Sequence, residues 1–184
     1  MNPTFNGPTI MDRNTILFEL SIPVPIEQTW KALTEKQELD QWFFRSAKID
    51  FKVGTLFTFQ TGWEGWIEEF LALSHIQYNT SKDSFTRFET RANSGNSLFR
   101  LIDKFHPTAL CPENLPPVPG IPDHILRNQP GGIGTHWVGI VAGWHKIIDA
   151  LQNHLCGTKS QLDQIELCLH YDNFLTQYWK SQKN

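Results

Sequence analysis

The chain has 184 residues and a formal net charge of -3, with 40% hydrophobic and 19% charged residues. This length and composition fit a globular protein with one domain and a core of its own, and they exclude a disordered chain. The charge is spread without a concentrated run of Lys or Arg, which excludes nucleic acid and anionic membranes as the main partners.

The sequence shows neither a membrane-spanning segment nor a signal peptide. No apolar stretch approaches the ~18 residues that a membrane-spanning helix requires, and the N-terminus lacks the basic and apolar regions of a signal peptide. The three cysteines are odd in number and widely spaced, which fits a reducing compartment. We therefore expect a cytoplasmic protein that is not associated with a membrane.

The first elements follow from composition and from capping signals. Residues 1–13 are rich in Asn, Pro and Gly, which predicts a loose arm. Residues 14–22 have the β-branched and aromatic content of a strand. Pro25 then suits the first turn of a short helix, and Thr34 with Gln37 matches a capping box that begins a second short helix.

The middle of the chain, residues 48–105, shows strand signals that are separated by turns, with no helix between them. Strands joined by turns alone predict an antiparallel meander of about six strands. Phe57 and Phe59 are two positions apart, so their side chains are predicted to share a face. Gly65 within the next strand indicates a bulge or the close approach of another backbone.

Proline and glycine divide the last third of the chain. Seven prolines between residues 106 and 132 predict a long irregular loop, either a cavity lid or an inert insertion. Apolar residues recur every three or four positions from about Thr135 to Cys156, which predicts a long helix with Gly157 at its C-cap. Residues 158–184 are predicted to add a helix on the outside of the domain or against a second subunit, so a monomer and a homodimer both remain open.

Motifs typical of phosphate binding, nucleophilic catalysis or metal binding are not found, so no cofactor, metal site or catalytic residue is assigned. Glu68 and Glu69 are adjacent in a predicted strand, so at least one of them points inward. Asp103, near the end of the last predicted strand, is another carboxylate that can point inward. These carboxylates, and His136 at the start of the long helix, are interpreted either as satisfied structural groups or as polar groups that orient a ligand.

Two motifs carry a resemblance to a known family. Residues 29–43 begin with Thr-Trp-Lys-Ala-Leu-Thr and end with Leu-Asp-Gln-Trp-Phe, and residues 143–157 begin with Gly-Trp and end with Leu-Cys-Gly. Over about residues 14–157 the chain resembles the homologues of the activator of the ninety-kilodalton heat-shock chaperone ATPase. That family lies in the START-like (SRPBCC) superfamily.

The resemblance implies an α+β protein with the helix-grip fold, which is START-like and similar to that of the birch-pollen allergen. In this fold an antiparallel sheet of about six to seven strands wraps round a long C-terminal helix, and two short helices follow strand 1. This chain would add an extra C-terminal helix. The predicted organisation is an arm, residues 1–13, a helix-grip domain, residues 14–157, and a helical tail, residues 158–184.

The superfamily includes carriers, co-chaperones and enzymes, so the fold leaves three functions open. The first, which we favour, is binding of a hydrophobic or aromatic small molecule in an internal cavity. The second is a module that binds a chaperone and stimulates its ATPase. The third is a cyclase- or hydrolase-type enzyme with Glu68, Glu69, Asp103 or His136 as general acid or base.

The predicted cavity wall combines apolar groups, which supply affinity, with a few polar groups, which set orientation. Its members are Trp42, Phe44, Phe57, Phe59, Trp66, Glu69, Phe88, Phe99, Leu101, Asp103, His136, Val141 and Trp144. The resemblance also implies that Trp30, Trp42 and Trp144 lock the helices to the sheet.

Overall fold

A computed structural model describes residues 6–12, 14–44, 46–105, 134–159 and 162–181. The chain divides into two compact units, one formed by residues 1–106 with 149–159 and the other by residues 107–148 with 160–184. The Pro-rich loop at residues 106–132, predicted to be a lid or an insertion, lies outside the described residues.

The first unit contains one antiparallel sheet. Its strands are β1 (Asn6–Asp12), β2 (Thr15–Ile22), β3 (Ser46–Lys48), β4 (Leu56–Phe59), β5 (Glu64–Leu71), β6 (His75–Asn79), β7 (Phe85–Asn93) and β8 (Asn96–Lys104). The spatial order is β1-β2-β8-β7-β6-β5-β4-β3, so the predicted meander from β3 to β8 is confirmed and β2 pairs with its last strand. The tight β7–β8 turn uses Ser94 and Gly95, both with positive φ, as a two-residue hairpin loop requires.

The prediction of a loose arm over residues 1–13 is wrong for Asn6–Asp12. These residues form edge strand β1, which pairs with β2 and raises the strand count to eight. An edge strand pairs through its backbone on one side only, so it needs no alternating apolar pattern. Pro8 lies at the register irregularity between Asn6 and Thr9, where a proline is tolerated.

The two short helices predicted after the first strand are α1 (Ile26–Thr34) and α2 (Lys36–Trp42). The Trp42 indole N–H donates to the Ala32 carbonyl at 2.9 Å, a buried bond that ties α2 to α1. The hydroxyls of Thr29 in α1 and Ser97 in β8 lie 2.6 Å apart, and both side chains are fully buried. These bonds fix the helix pair on the sheet.

The predicted cap between the two helices is different in the structure. Glu35 is the N-cap of α2 and makes no side-chain cap bond. The Thr34 hydroxyl instead donates to the Trp30 carbonyl at 2.8 Å, within its own helix. A threonine at a helix end can bond backward as well as forward, and here the backward bond is the one formed.

Successive side chains of a strand point to opposite faces, so the register sorts the strand residues into two sets. Phe88 pairs with Ile76 and Leu101 on the neighbouring strands, and all three are fully buried. We call this side the aromatic face. Its apolar residues, each at most 1% exposed, are Ile16, Phe18, Leu20, Ile22, Phe57, Phe59, Ile67, Ile76, Tyr78, Phe88, Phe99 and Leu101.

Two further helices follow, α3 (Gly134–Cys156) and α4 (Gln164–Ser181), and they confirm the predicted long helix and extra C-terminal helix. Within the second unit the Tyr171 hydroxyl on α4 lies 2.6 Å from His145 Nδ1 on α3. The C-terminal end of α3 belongs to the first unit, where His154 Nε2 lies 2.9 Å from a Glu38 carboxylate oxygen on α2. None of the described helices is long and apolar enough to cross a membrane.

Candidate functional site

A continuous cluster of aromatic rings covers part of the aromatic face. The end of α2 and the residues after it supply three rings, strands β4, β6, β7 and β8 supply five, and the β4–β5 turn supplies one. We call this set the aromatic cluster: Trp42, Phe43, Phe44, Phe57, Phe59, Trp63, Tyr78, Phe88 and Phe99.

Phe43 stands at the centre of the cluster. Its ring lies 5.1 Å from Phe59 and 5.8 Å from Phe88, and both pairs meet edge to face. Edge-to-face and offset contacts at these distances each contribute about 0.5–1.5 kcal/mol beyond simple burial. The end of α2 therefore places the Phe43 ring on the sheet, in contact with strands β4 and β7.

The β4–β5 turn adds a stacked pair to the cluster. Gly62 takes a φ of +84°, and the Phe59 N–H donates to the Trp63 carbonyl at 2.8 Å, so the chain reverses tightly. The Trp63 ring then stacks on Phe59 with a 5.2 Å centroid distance and 21° between planes. It also lies 5.0 Å from Phe57 and 5.6 Å from Tyr78.

Gly65 allows the strands below the cluster to come close together. A Cβ atom there would lie 1.9 Å from the Asn79 carbonyl oxygen and 3.1 Å from Cζ of Phe57. Phe57 and Gly65 are cross-strand partners, so the ring covers a position that has no side chain of its own. The predicted close approach of another backbone at Gly65 is therefore confirmed.

Three polar side chains form a row across one end of the aromatic face. Tyr78 on β6 is opposite Thr86 on β7, which is opposite Asp103 on β8. The Thr86 hydroxyl donates to Asp103 Oδ1 at 2.7 Å, and both residues are buried. Asp103 thus lies on the predicted side of the sheet, and the protein itself supplies a hydrogen bond to it.

The Tyr78 hydroxyl has no hydrogen-bond partner among the residues that the structure describes, although the side chain is fully buried. Burial raises the pKa of this phenol well above its ordinary value of 10.0, so the hydroxyl keeps its proton at physiological pH. The Thr90 hydroxyl, on the same face of β7, is also buried without a partner in the described part of the chain. Each such group costs about 1–3 kcal/mol while it stays unpaired.

The structure brings together most of the predicted wall residues from the sheet and α2. Ring contacts connect Trp42, Phe57, Phe59, Phe88 and Phe99 through the aromatic cluster, and Phe57 and Phe59 share a face as predicted. The Phe44 ring reaches the cluster through Phe43, at 4.8 Å. Leu101 is the cross-strand neighbour of Phe88.

Trp66 and Glu69 do not share this face, which corrects the predicted wall. Trp66 pairs with Asn79, next to Tyr78 but on the other side of the sheet, and its indole N–H donates to Glu68. Glu69 pairs with Gln77, and its carboxylate binds Arg87 and lies 3.0 Å from His75 Nε2. The carboxylates of Glu69 and Asp103 are thus on opposite faces and cannot act on one substrate as an acid–base pair.

The predicted wall residues from the long helix belong to the second unit. Val141 is fully buried and Trp144 is partly buried within α3. The side chain of His136 lies outside the described part of the structure.

Phe43, Trp63 and Tyr78 are cluster members that the sequence analysis missed. Phe43 could have been found, because it closes the motif that carries the family resemblance. Tyr78 shares the parity of Ile76 in a short strand, which would have placed it on the buried side. Trp63 lies in a turn, where no periodicity assigns a direction to its side chain.

The described residues also line an open depression of about 280 Å³ at the β4–β5 hairpin, and Leu56, Thr58 and Glu64 of its lining belong to the face opposite the cluster. Its walls are Leu56, Phe57, Thr58, Glu64, Gly65 and Thr80. Among the described residues there is no group of three or more His, Cys, Asp or Glu side chains that could hold a metal ion. The site offers apolar contact, ring stacking, hydroxyl groups and the carboxylate of Asp103.

The fold is of the START-like, helix-grip class. Residues 23–104 match the family model described as activator of Hsp90 ATPase homolog 1-like protein, which confirms the resemblance seen in the sequence. No curated protein matches the chain at a significant level.

Solved structures confirm the fold class. The crystal structure of CalU16 from Micromonospora echinospora matches with a TM-score of 0.64 at 15% identity, over 95% of this chain and 96% of that one. Protein EF2215 from Enterococcus faecalis, described as of unknown function, matches with a TM-score of 0.60 at 16% identity, over 96% and 92%. DynU16, described as a protein in the dynemicin biosynthetic locus, matches with a TM-score of 0.55 at 14% identity, over 77% of this chain and 47% of that one.

Proposed function

We propose that this protein binds a hydrophobic, aromatic small molecule against the aromatic cluster. The observation that carries the proposal is the continuity of the rings from Phe44 to Phe99 on one face of the sheet, with buried hydroxyls beside them. The helix-grip class supports a ligand-binding role, and DynU16 is described as a protein in the dynemicin biosynthetic locus. The cytoplasmic location and the monomeric or homodimeric state predicted from the sequence belong to the same proposal.

Apolar contact would supply most of the affinity. A ligand of two fused rings that buries roughly 200 Å² of apolar surface gains about 5 kcal/mol at 25 cal/mol per Å². Offset and edge-to-face contacts with rings such as Phe43 and Phe88 add about 0.5–1.5 kcal/mol each. The loss of translational and rotational freedom opposes these gains, so we expect micromolar rather than nanomolar binding of so small a ligand.

The proposal is tested first by native mass spectrometry of freshly purified protein, in which a carried ligand appears as additional mass. Equilibrium dialysis with tetralin, a two-ring hydrocarbon, then measures binding to the empty protein. Phe88→Leu removes a ring that contacts Tyr78 at 5.5 Å and Phe99 at 5.7 Å, and we expect it to weaken tetralin binding five- to tenfold.

Phe85→Leu is the matched control for this variant. Phe85 lies on the same strand three residues away, so it points to the opposite face of the sheet. It should bind tetralin as wild type does. An equal loss of affinity in both variants, or the absence of both additional mass and tetralin binding in the wild type, would refute the proposal.

A second candidate function is interaction with a chaperone of the Hsp90 type. The family match favours it, and so does the face of the sheet opposite the cluster, where Leu56 is 64% exposed and Leu71 is 57% exposed. Trp66 lies on the same face, as the partner of Leu56. A chaperone ATPase assay would distinguish this function, because Leu56→Ser with Leu71→Ser should abolish any stimulation while leaving tetralin binding unchanged.

A further inference from the structure

The hydroxyl of Tyr78 is a group that packing of the protein alone does not explain. The ring is surrounded by Phe57 at 5.3 Å, Trp63 at 5.6 Å and Phe88 at 5.5 Å. A phenylalanine would make the same three ring contacts without burying a hydroxyl that has no partner in the described part of the chain. The Tyr78 hydroxyl oxygen is therefore the atom whose presence needs an explanation.

Among the described residues, none is a hydrogen-bond partner of this hydroxyl. Its cross-strand neighbour Thr86 bonds to Asp103 instead. A phenol is longer than the side chains of Thr86 and Asp103, and side chains stand roughly perpendicular to the sheet, so the Tyr78 oxygen lies farther from the sheet than theirs. A buried water needs about two to four polar partners, whereas the rings in contact with Tyr78 are aromatic.

We propose that the Tyr78 hydroxyl orients the bound molecule by donating a hydrogen bond to it, and that the ligand is an aromatic compound with a carbonyl oxygen. This inference rests on the proposed function, because it assigns the polar contact within the same site. The aromatic cluster recognises the rings of the ligand, and the phenol selects the edge that bears the oxygen. The protonated phenol is a donor at every physiological pH, which suits a carbonyl acceptor.

The test compares two probes of one shape, tetralin and 1-tetralone, which carries a carbonyl on the same skeleton. Equilibrium dialysis gives both dissociation constants for wild type and for Tyr78→Phe. We expect the ratio of the two constants to shift against 1-tetralone by about tenfold in the variant, which corresponds to about 1.4 kcal/mol. Tetralin itself should bind equally well or better.

Tyr171→Phe is the matched control, because its hydroxyl has a partner in His145 at 2.6 Å. This variant should lose stability in urea unfolding and keep the wild-type ratio of the two probes. Tyr78→Phe should instead be as stable as wild type or more so, since it removes an unpaired buried group.

The outcomes separate the two proposals. If wild type binds tetralin but Tyr78→Phe keeps the wild-type probe ratio, the inference about the hydroxyl is overturned and the proposed function stands. If Tyr78→Phe is destabilised as much as Tyr171→Phe, the hydroxyl has a partner inside the unbound protein, which also overturns the inference. If wild type binds neither probe up to its solubility, the proposed function fails and the inference fails with it.

Discussion

Gly65→Ala tests the close contact on which the site is built. The added methyl carbon would lie 1.9 Å from the Asn79 carbonyl oxygen, whereas real Cβ atoms essentially never approach closer than 3.0 Å. The clash is with backbone of the neighbouring strand, so no side-chain rotation relieves it. Strand β6 would have to move away from β5 by at least about 1 Å.

The cost follows from that displacement. Overpacking a core typically costs about 1–3 kcal/mol, and a shift of this size also breaks a ladder hydrogen bond, which contributes about 1 kcal/mol. We therefore expect Gly65→Ala to lower the free energy of unfolding by about 2–4 kcal/mol. For a chain of this length the melting temperature should fall by roughly 4–16 °C.

Urea unfolding followed by tryptophan fluorescence measures this change, because Trp63 in the adjoining turn reports on the same hairpin. Gly7→Ala is the control, since it makes the same substitution in a strand where a Cβ meets nothing within 4 Å. It should change stability by less than about 0.5 kcal/mol. A Gly65→Ala protein with wild-type stability would show that β5 and β6 are not as close as the structure places them.

Three further predictions concern the helices. Trp42→Phe removes the buried bond from the indole to α1 and should lower stability by about 2–3 kcal/mol in urea unfolding, and a loss below 0.5 kcal/mol would contradict that role. Thr29→Val should lower the free energy of unfolding by about 1–3 kcal/mol because it leaves the Ser97 hydroxyl unpaired. Adding Ser97→Ala should recover part of that loss. If the effects of the two substitutions simply add, the bond between the two hydroxyls is not supported. Hydrogen bonds from His154 and Lys31 hold the pKa of Glu38 below its ordinary value of 4.5. The ionised carboxylate therefore stabilises the folded protein above about pH 4.5. This contribution is lost as the pH falls through the lower pKa of the folded state. The stability deficit of Glu38→Gln should therefore be present at pH 7 and shrink as the pH is lowered below 4.5, and a deficit that does not change with pH would exclude the linkage.

The parts of the fold that were predictable from sequence depend on local pattern. The helices around Trp30 and Trp144 show apolar spacing of three and four residues, which any helix of that sequence would share. The common face of Phe57 and Phe59 depends only on their spacing of two. Strand β1 was missed because its stability comes from pairing with β2, and that pairing leaves no signal within the strand itself.

Trp66 and Glu69 were predicted on the wrong face of the sheet because the local sequence pattern does not determine which residues of a strand point inward. Trp66 and Ile67 are both apolar, so alternation alone cannot decide which of them points inward, and only the pairing of Ile67 with Tyr78 does. Glu69 is two positions from Ile67 and would share its face in a regular strand. A register shift between them places Glu69 on the other side. One extra residue in β5 thus moves a carboxylate from the interior to the surface.

The strand order has a consequence for how the protein is made. β2 is the second strand to be synthesised, yet its partner β8 is the last of the described strands. The ion pair between Glu19 and Arg100 joins residues that are 81 positions apart. Loops of that length must close before the centre of the sheet can assemble, and such topologies fold slowly. Until β8 has been synthesised, one edge of β2 stays open and can pair with another chain.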